Sequence, residues 1–385
     1  MRDFIKRKTF LVIIIVGLIL YSWTIFFDFS YFDDNVLILD NHHIISSPNN
    51  LGRLFTEDVF FSDNNFYYRP FLNLSLMFDS QISGIYSWFY HLNNVFLHIL
   101  TAILLLVVLQ RLGANKLRAL WLSLFFLVHP ALVQAVAWIP GRNDSLLAVF
   151  VLSCFLFFLK FLESPRVLNY FMTLLFFALA LFTKEAAIII PIMLTIYYLF
   201  LSSNKITRND IFMFIFGGLA ILFFWIMMRQ LAIDGELGGL GAVFISFVYN
   251  APAVLISLGK FLFPFNLSIM PILKETSAWY GIFAVIIFAI LALTKKIKKI
   301  WLMFGLTWFL LFLLPSFVSP NPEEFHYLLL LEHRLYLPFL GLIFIFINFN
   351  VTNLEAKNNF KFKKIYNIIS VFILLIFVVI SFNHL

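Results

Sequence analysis

The stretch YFDDNVLILDN, residues 31–41, sets Asp33 and Asp34 side by side just past a long apolar segment. The chain has only 20 Asp and Glu among 385 residues, so two adjacent carboxylates there are a feature. A carboxylate at such a position can take a proton from an incoming hydroxyl. Two together can supply part of a divalent metal site. They can equally do no more than end a helix among lipid headgroups. Other ionisable groups recur in short motifs: Arg69 in YYRPFLNLS, and His129, Arg142 and Asp144 in LVHPALVQAVAWIPGRNDSLLAVF. Lys184 and Glu185 follow in LFTKEAAIIIP, then Glu332, His333 and Arg334 in LLLLEHRLYLPFLG. Singly, Lys184–Glu185 reads as a self-neutralising turn and Glu332–Arg334 as a local ion pair. As a set they read differently, because ionisable residues kept close to a membrane mark function and arginines suit bidentate contacts to phosphate.

The elements that must position these groups are greasy. Mean hydropathy is +0.95, 62% of residues are hydrophobic and 12% are charged, which excludes a soluble globular domain. Long runs that are apolar on every face predict membrane-crossing helices, since barrel strands would alternate. The fold class is therefore all-α and polytopic, a single membrane domain over residues 1–385 with about 11–12 spans. Spans are expected near 9–27, 92–110, 119–137, 145–162, 167–182, 186–202, 211–228, 279–294, 301–317, 335–350 and 366–382. A further helix near 245–262 holds Pro252 and precedes FPFN. The parity of the flanking basic connectors makes it re-entrant or interfacial. The opening MRDFIKRKTFLVIIIVGLILYSWTIFF reads as a retained anchor, its apolar part being too long for a cleaved signal.

Basic residues collect in short connectors: Arg2 to Lys8, Arg111 to Arg118, Lys205 and Arg208, Lys295 to Lys299, and Lys357 to Lys364. By the positive-inside tendency these face the cytoplasm, as does the N-terminus. The net charge of +7 thus reflects topology rather than nucleic-acid binding. Arg69, Arg142, Lys184 and Arg334 break that bias and fall outside. The first outward loop, 28–90, holds eight of the twenty acidic residues: Asp28, Asp33, Asp34, Asp40, Glu57, Asp58, Asp63 and Asp79. A loop that long usually carries function. His91 and His98, in an aromatic-rich stretch, suit an interfacial belt better than a ligand set. The single cysteine, Cys154, rules out an internal disulfide. No Walker loop, nucleophile elbow or zinc-spaced cluster is present, so no cofactor is called for and a divalent metal at Asp33–Asp34 stays open.

The order of FDDNVLILDN, YYRPFLNLSLMFD, YHLNNVFLHIL, FLVHPALVQAVAWIPGRNDSLLAVFVL, ALFTKEAAIIIP and EHRLYLPFLG resembles the GT-C superfamily of membrane glycosyltransferases. It is most similar to the membrane domain of the transmembrane-and-tetratricopeptide O-mannosyltransferases and their bacterial relatives. The resemblance runs over about residues 28–345, and one more apolar segment follows where those proteins carry tetratricopeptide repeats. It implies an inverting transfer of a sugar, mannose in that family, from a polyprenyl-phosphate donor to an acceptor outside the cytoplasm. The acceptor would be a protein hydroxyl, or alternatively a lipid or cell-envelope glycan. A secondary transporter or a lipid-binding protein is the non-enzymatic alternative. On the enzymatic reading Asp33 is the base and Asp34 orients the acceptor. Arg69, Arg142, Lys184 and Arg334 hold the donor phosphate, supported by His129, Asp144, Glu185 and Glu332. The expected location is a bacterial inner membrane, with the site facing outward.

Overall fold

A computed structural model of the chain describes residues 2–62, 66–233, 240–268, 277–318, 331–349 and 360–385. Asp63 and Lys357 lie outside these ranges, as do the side chains of Lys361, Lys363 and Lys364. Among the described residues there is no strand. Helices of ten or more residues are α1 (Arg2–Tyr21), α2 (Pro70–Ser83), α3 (Trp88–Arg111), α4 (Lys116–Leu127), α5 (Arg142–Glu163), α6 (Val167–Leu181) and α7 (Ile190–Phe200). They continue with α8 (Arg208–Ala232), α9 (Leu240–Leu262), α10 (Trp279–Leu293), α11 (Lys299–Leu313), α12 (Tyr336–Ile345) and α13 (Phe360–His384). This is an all-α, multi-pass membrane protein.

Six helical segments among the described residues are long and apolar enough to cross a bilayer. A bent pair makes a seventh, and four shorter apolar helices bring the set to eleven. Two expectations change in detail. The run 119–137 is not one helix: α4 stops before His129, and the chain resumes from Pro130 at an angle of 57°. Proline forces the residue before it into extended backbone, and His129 has φ −72° and ψ 120°. The run 335–350 yields only the ten-residue α12, about 15 Å long, which falls well short of a hydrocarbon core. In addition, Phe244–Leu262 passes the length and hydropathy test for a span despite Pro252, so its composition does not require it to be re-entrant.

Two compact units form. The first comprises Met1–Leu20, Leu105–Gln134 and Gly239–Leu385, hence α1, α4 and α9 to α13. Here helices touch where side chains are absent. A methyl group on Gly305 of α11 would collide with the carbonyl of Gly341 on α12, and one on Gly341 would come within 2.6 Å of the Gly305 carbonyl. Trp308 Nε1 beside them donates to the Leu337 carbonyl at 3.0 Å. Backbones in membranes come this close only across small residues.

The second unit comprises Tyr21–Leu104 and Ala135–Gly238, with α2, most of α3 and α5 to α8. Its first loop is folded rather than slack. Leu37, Ile38, Ile45, Leu54 and Val59 bury themselves against Leu72, Leu76 and Met77 of α2 and Tyr90 of α3. Side-chain amides tie the backbone: Asn41 Nδ2 donates to the carbonyls of Val36 and Phe60, and Asn73 Nδ2 to that of Val59. Pro70 starts α2, where its missing N–H costs nothing. Gly84 ends it with φ 57°, a conformation other residues rarely adopt. The loop is thereby a platform able to fix its carboxylates.

Candidate active site

The second unit gathers seven of the ten candidate residues. Arg142, Asn143 and Asp144 open α5, so three polar side chains project from one helical turn in different directions. Arg142 points into the unit and is 0% exposed, ion-paired through Nη1 with the equally buried Asp79 of α2. Its Nε donates to Asn94 Oδ1 at 2.7 Å and its Nη2 to the Tyr90 carbonyl at 2.6 Å, both on α3. Asn94 in turn donates to the carbonyls of Val136 and Trp138, and Asn93 Nδ2 donates to Asp79 Oδ1 at 2.8 Å. Burial pushes the Asp79 carboxyl above its usual range, opposed by Arg142 and Asn93. Arg142 was expected to hold a phosphate. In this geometry its guanidinium is enclosed by protein groups and joins α2, α3 and α5.

Asp144 accepts two hydrogen bonds from Lys184 Nζ, at 2.7 and 2.8 Å. Arg69 Nη2 reaches Glu185 Oε2 at 3.3 Å. Lys184 and Glu185 therefore do not neutralise each other; each pairs with a residue far away in sequence. Asn143, with its amide turned to satisfy both neighbours, accepts from Arg69 Nη1 at 3.0 Å and donates to the Thr183 carbonyl at 2.9 Å. These pairs are less closed than Arg142–Asp79: side-chain exposure is 15% for Lys184, 18% for Arg69 and 30% for Glu185. Arg69 Nε and Glu185 Oε1 are buried without a partner among the described residues. A buried donor in that condition is costly unless a ligand completes it.

Asp33 and Asp34 precede a π-helical turn, Asn35–Asp40. Asp34 is buried, and its Oδ2 accepts from Ser30 N at 2.6 Å and from Ser30 Oγ at 2.8 Å. Its Oδ1 has no partner among the described residues. Burial pushes its pKa up to about 6 against the two Ser30 bonds, with the charge of Asp33 adding to the rise and Arg142 opposing it. Asp33 is only partly buried. The pair thus divides into one buried and one partly exposed carboxylate. Among the described residues no three His, Cys, Asp or Glu are grouped to hold a metal ion. His91 and His98 are buried within the unit, edge-on to Phe27 and Tyr21 respectively.

The remaining candidates belong to the first unit. His129 caps the break after α4. Its Nδ1 accepts from Ala131 N at 3.3 Å, which makes Nε2 the protonated nitrogen, and that nitrogen lies 3.1 Å from the Phe261 carbonyl. Glu332 is fully buried and does not pair with Arg334. It meets Lys260 Nζ at 2.7 Å, Ser268 N at 2.7 Å and His384 Nε2 at 3.1 Å. In the tight turn Glu332–Leu335 residues advance by about a third of a circle each, so positions two apart face different ways. Arg334 instead donates through Nη1 to the Ser316 carbonyl at 2.7 Å. Lys260, Asp79 and Asn94 are participants that motif reading passed over. Lys260 had a signal, as a lone charge near the end of an apolar helix.

No protein-family model matches the chain, and no solved structure does. Curated relatives do match. Protein O-mannosyl-transferase TMTC1 of Mus musculus is 32% identical over 155 residues, covering 36% of this chain and 16% of that protein. Protein O-mannosyl-transferase TMTC3 of Mus musculus is 29% identical over 194 residues, 47% of this chain and 20% of its own length. Protein O-mannosyl-transferase TMTC2 of Homo sapiens is 30% identical over 150 residues, 38% and 18% respectively. The chain thus spans no more than a fifth of these relatives. Over a third to nearly half of its own length, it is related in sequence to the TMTC protein O-mannosyl-transferases.

Proposed function

We propose that this chain is a membrane glycosyltransferase that moves a sugar, mannose by analogy with its relatives, from a polyprenyl-phosphate donor to an extracytoplasmic protein hydroxyl. The observation that carries the reading is the presence, in one unit, of a partly exposed carboxylate beside a buried one and of two incompletely closed ion pairs. Asp33, the partly exposed member, removes the proton from the acceptor hydroxyl. The acceptor oxygen forms its bond to the anomeric carbon as the bond to the phosphate oxygen breaks, which inverts the centre. Charge builds up in two places, positive on the sugar and negative on the departing phosphate. Arg69, with an N–H to spare, and Lys184 serve the phosphate. Asp34 holds the turn through Ser30, and Arg142–Asp79 holds the elements beneath. Arg334, which belongs to the first unit, keeps only its expectation from sequence and is tested separately by donor kinetics. The positive-inside charge pattern supports a site on the outer face.

The test is direct. Purified protein is incubated with polyprenyl-phosphate mannose and a Ser/Thr-containing peptide, and glycopeptide is measured by mass spectrometry. Wild type should form product and Asp33→Asn should lose at least ~100-fold in turnover. Transfer to a lipid or glycan acceptor with no glycopeptide would remove the protein acceptor. Undiminished turnover by Asp33→Asn would remove the base.

A further inference from the structure

The first unit contains a cavity of about 280 Å³ that the proposed reaction does not use. Its walls are apolar and aromatic, among them Trp121 and Phe125 of α4, Phe261 of α9, Phe346 just past α12, and Ile373 of α13. A purely greasy hollow between helices would take any hydrocarbon, but this one is marked at two points. Among the described residues Arg118 is the one charged residue in the lining, and one of its N–H groups already meets the Ile347 carbonyl at 2.9 Å. The indole Nε1 of Trp121 is buried and donates to nothing among the described residues. Ser370 adds a hydroxyl. An apolar hollow with a cation and an unmatched N–H at its edge fits an amphiphile bearing an anionic head.

Position distinguishes this hollow from the motif at the start of α12. Arg118 meets Ile347, and Phe346 and Phe349 line the cavity, all at the end of α12 remote from Glu332 and Arg334. Arg118 also belongs to the basic connector with Arg111 and Lys116, which the positive-inside rule sends to the cytoplasm. Lys361, Lys363 and Lys364 lie just upstream of cavity residue Ile369 in sequence. Basic pockets between helices on that side attract anionic lipid headgroups. At 280 Å³ the cavity is slightly smaller than most small-molecule pockets, so it takes one length of chain rather than a bulky ring.

We infer that the cavity is a binding site for an anionic glycerophospholipid of the cytoplasmic leaflet. One acyl chain lies against Phe125, Phe261 and Ile373, the phosphate is held by Arg118, and an oxygen of the head or ester accepts from Trp121 Nε1. The inference is independent of the catalytic reading.

The probes are phosphatidylglycerol and phosphatidylcholine with the same bromine-labelled chains, titrated into the detergent-solubilised protein. Bromine quenches an indole it touches, and the Trp121 share is the difference between wild type and Trp121→Phe. Phosphatidylglycerol should quench that share at a mole fraction lower than phosphatidylcholine by about 5-fold or more, the effect of one basic contact. Arg118→Gln should bring the two lipids together, whereas Arg118→Lys should keep most of the preference. Equal action of both lipids on wild type, or no quenching of Trp121, overturns the inference. This wild-type comparison decides even if Arg118→Gln does not fold. A polyprenyl phosphate that displaces the labelled lipid at a lower mole fraction than unlabelled phosphatidylglycerol also overturns it, by giving the cavity to the donor.

Discussion

Two sets of buried ion pairs, one in each unit, share a chemistry but differ in closure. In the first unit Glu332 is sealed between Lys260, His384 and the Ser268 amide, with Glu332 and Lys260 both nearly inaccessible. In the second, Arg142–Asp79 is equally sealed, but Lys184–Asp144 and Arg69–Glu185 beside it keep an open flank and an unmatched N–H. The desolvation of a sealed pair can outweigh its attraction, so such a pair is better evidence of how elements are held together than of net stabilisation. An open pair can exchange one partner for a ligand. The same residue types therefore do opposite work, and closure rather than charge tells which is which.

The largest effect that would break this contrast is loss of a sealed partner. Arg142→Leu leaves Asp79 buried and unpaired, and should destabilise by about 3–5 kcal/mol. Adding Asp79→Leu should recover part of that loss in thermal denaturation. A fully stable Arg142→Leu protein that had lost only donor binding would return Arg142 to the phosphate. Next comes Lys184→Gln, expected to destabilise less than Arg142→Leu, since Gln can still donate to the 5% exposed Asp144, and to raise the donor KM roughly 10-fold if the contact is equal in ground and transition states. A fall in turnover as well would mean the contact strengthens as the phosphate leaves. Arg334→Gln should weaken donor use by about 10-fold and spare acceptor dependence. Unchanged donor kinetics would return it to a structural contact at the mouth of α12 through the Ser316 carbonyl.

The smallest effect concerns pH. Asp34 has a folded pKa raised to about 6, so folding favours its protonated form. Its contribution is complete below the ordinary carboxylate pKa and is lost as pH climbs through about 6. The loss is at most about 3 kcal/mol. Asp34→Asn should flatten the fall in melting temperature between pH 4 and 7. A fall of unchanged size would place the titrating group elsewhere.

Most of the helices could be read directly, because lipid demands long apolar runs with every backbone group satisfied. The break at His129 has a local signal as well, a proline three residues past the end of α4, which the expected span 119–137 runs through. The partnerships were not. Neighbouring Lys184 and Glu185 look like a pair, yet they pair with Asp144 and Arg69, whose proximity is set by how α2, α5 and the turn before α7 pack. Arg142 looked like a free cation because Asp79, Asn94 and the Tyr90 carbonyl come from elements that sequence spacing cannot bring together. Lys260 gives only a weak signal, a lone charge near the end of a helix whose connector parity and Pro252 point to an interfacial segment.

The contact of Gly305 with Gly341 has a consequence for which substitutions the chain can absorb over time. In helices written with Phe, Leu and Ile, one large apolar letter can replace another wherever lipid or a soft neighbour can adjust. At these two positions no letter but glycine leaves the facing carbonyl room. In a chain with 52 phenylalanines, much of what specifies the pairing of α11 with α12 is carried by two residues that have no side chain at all.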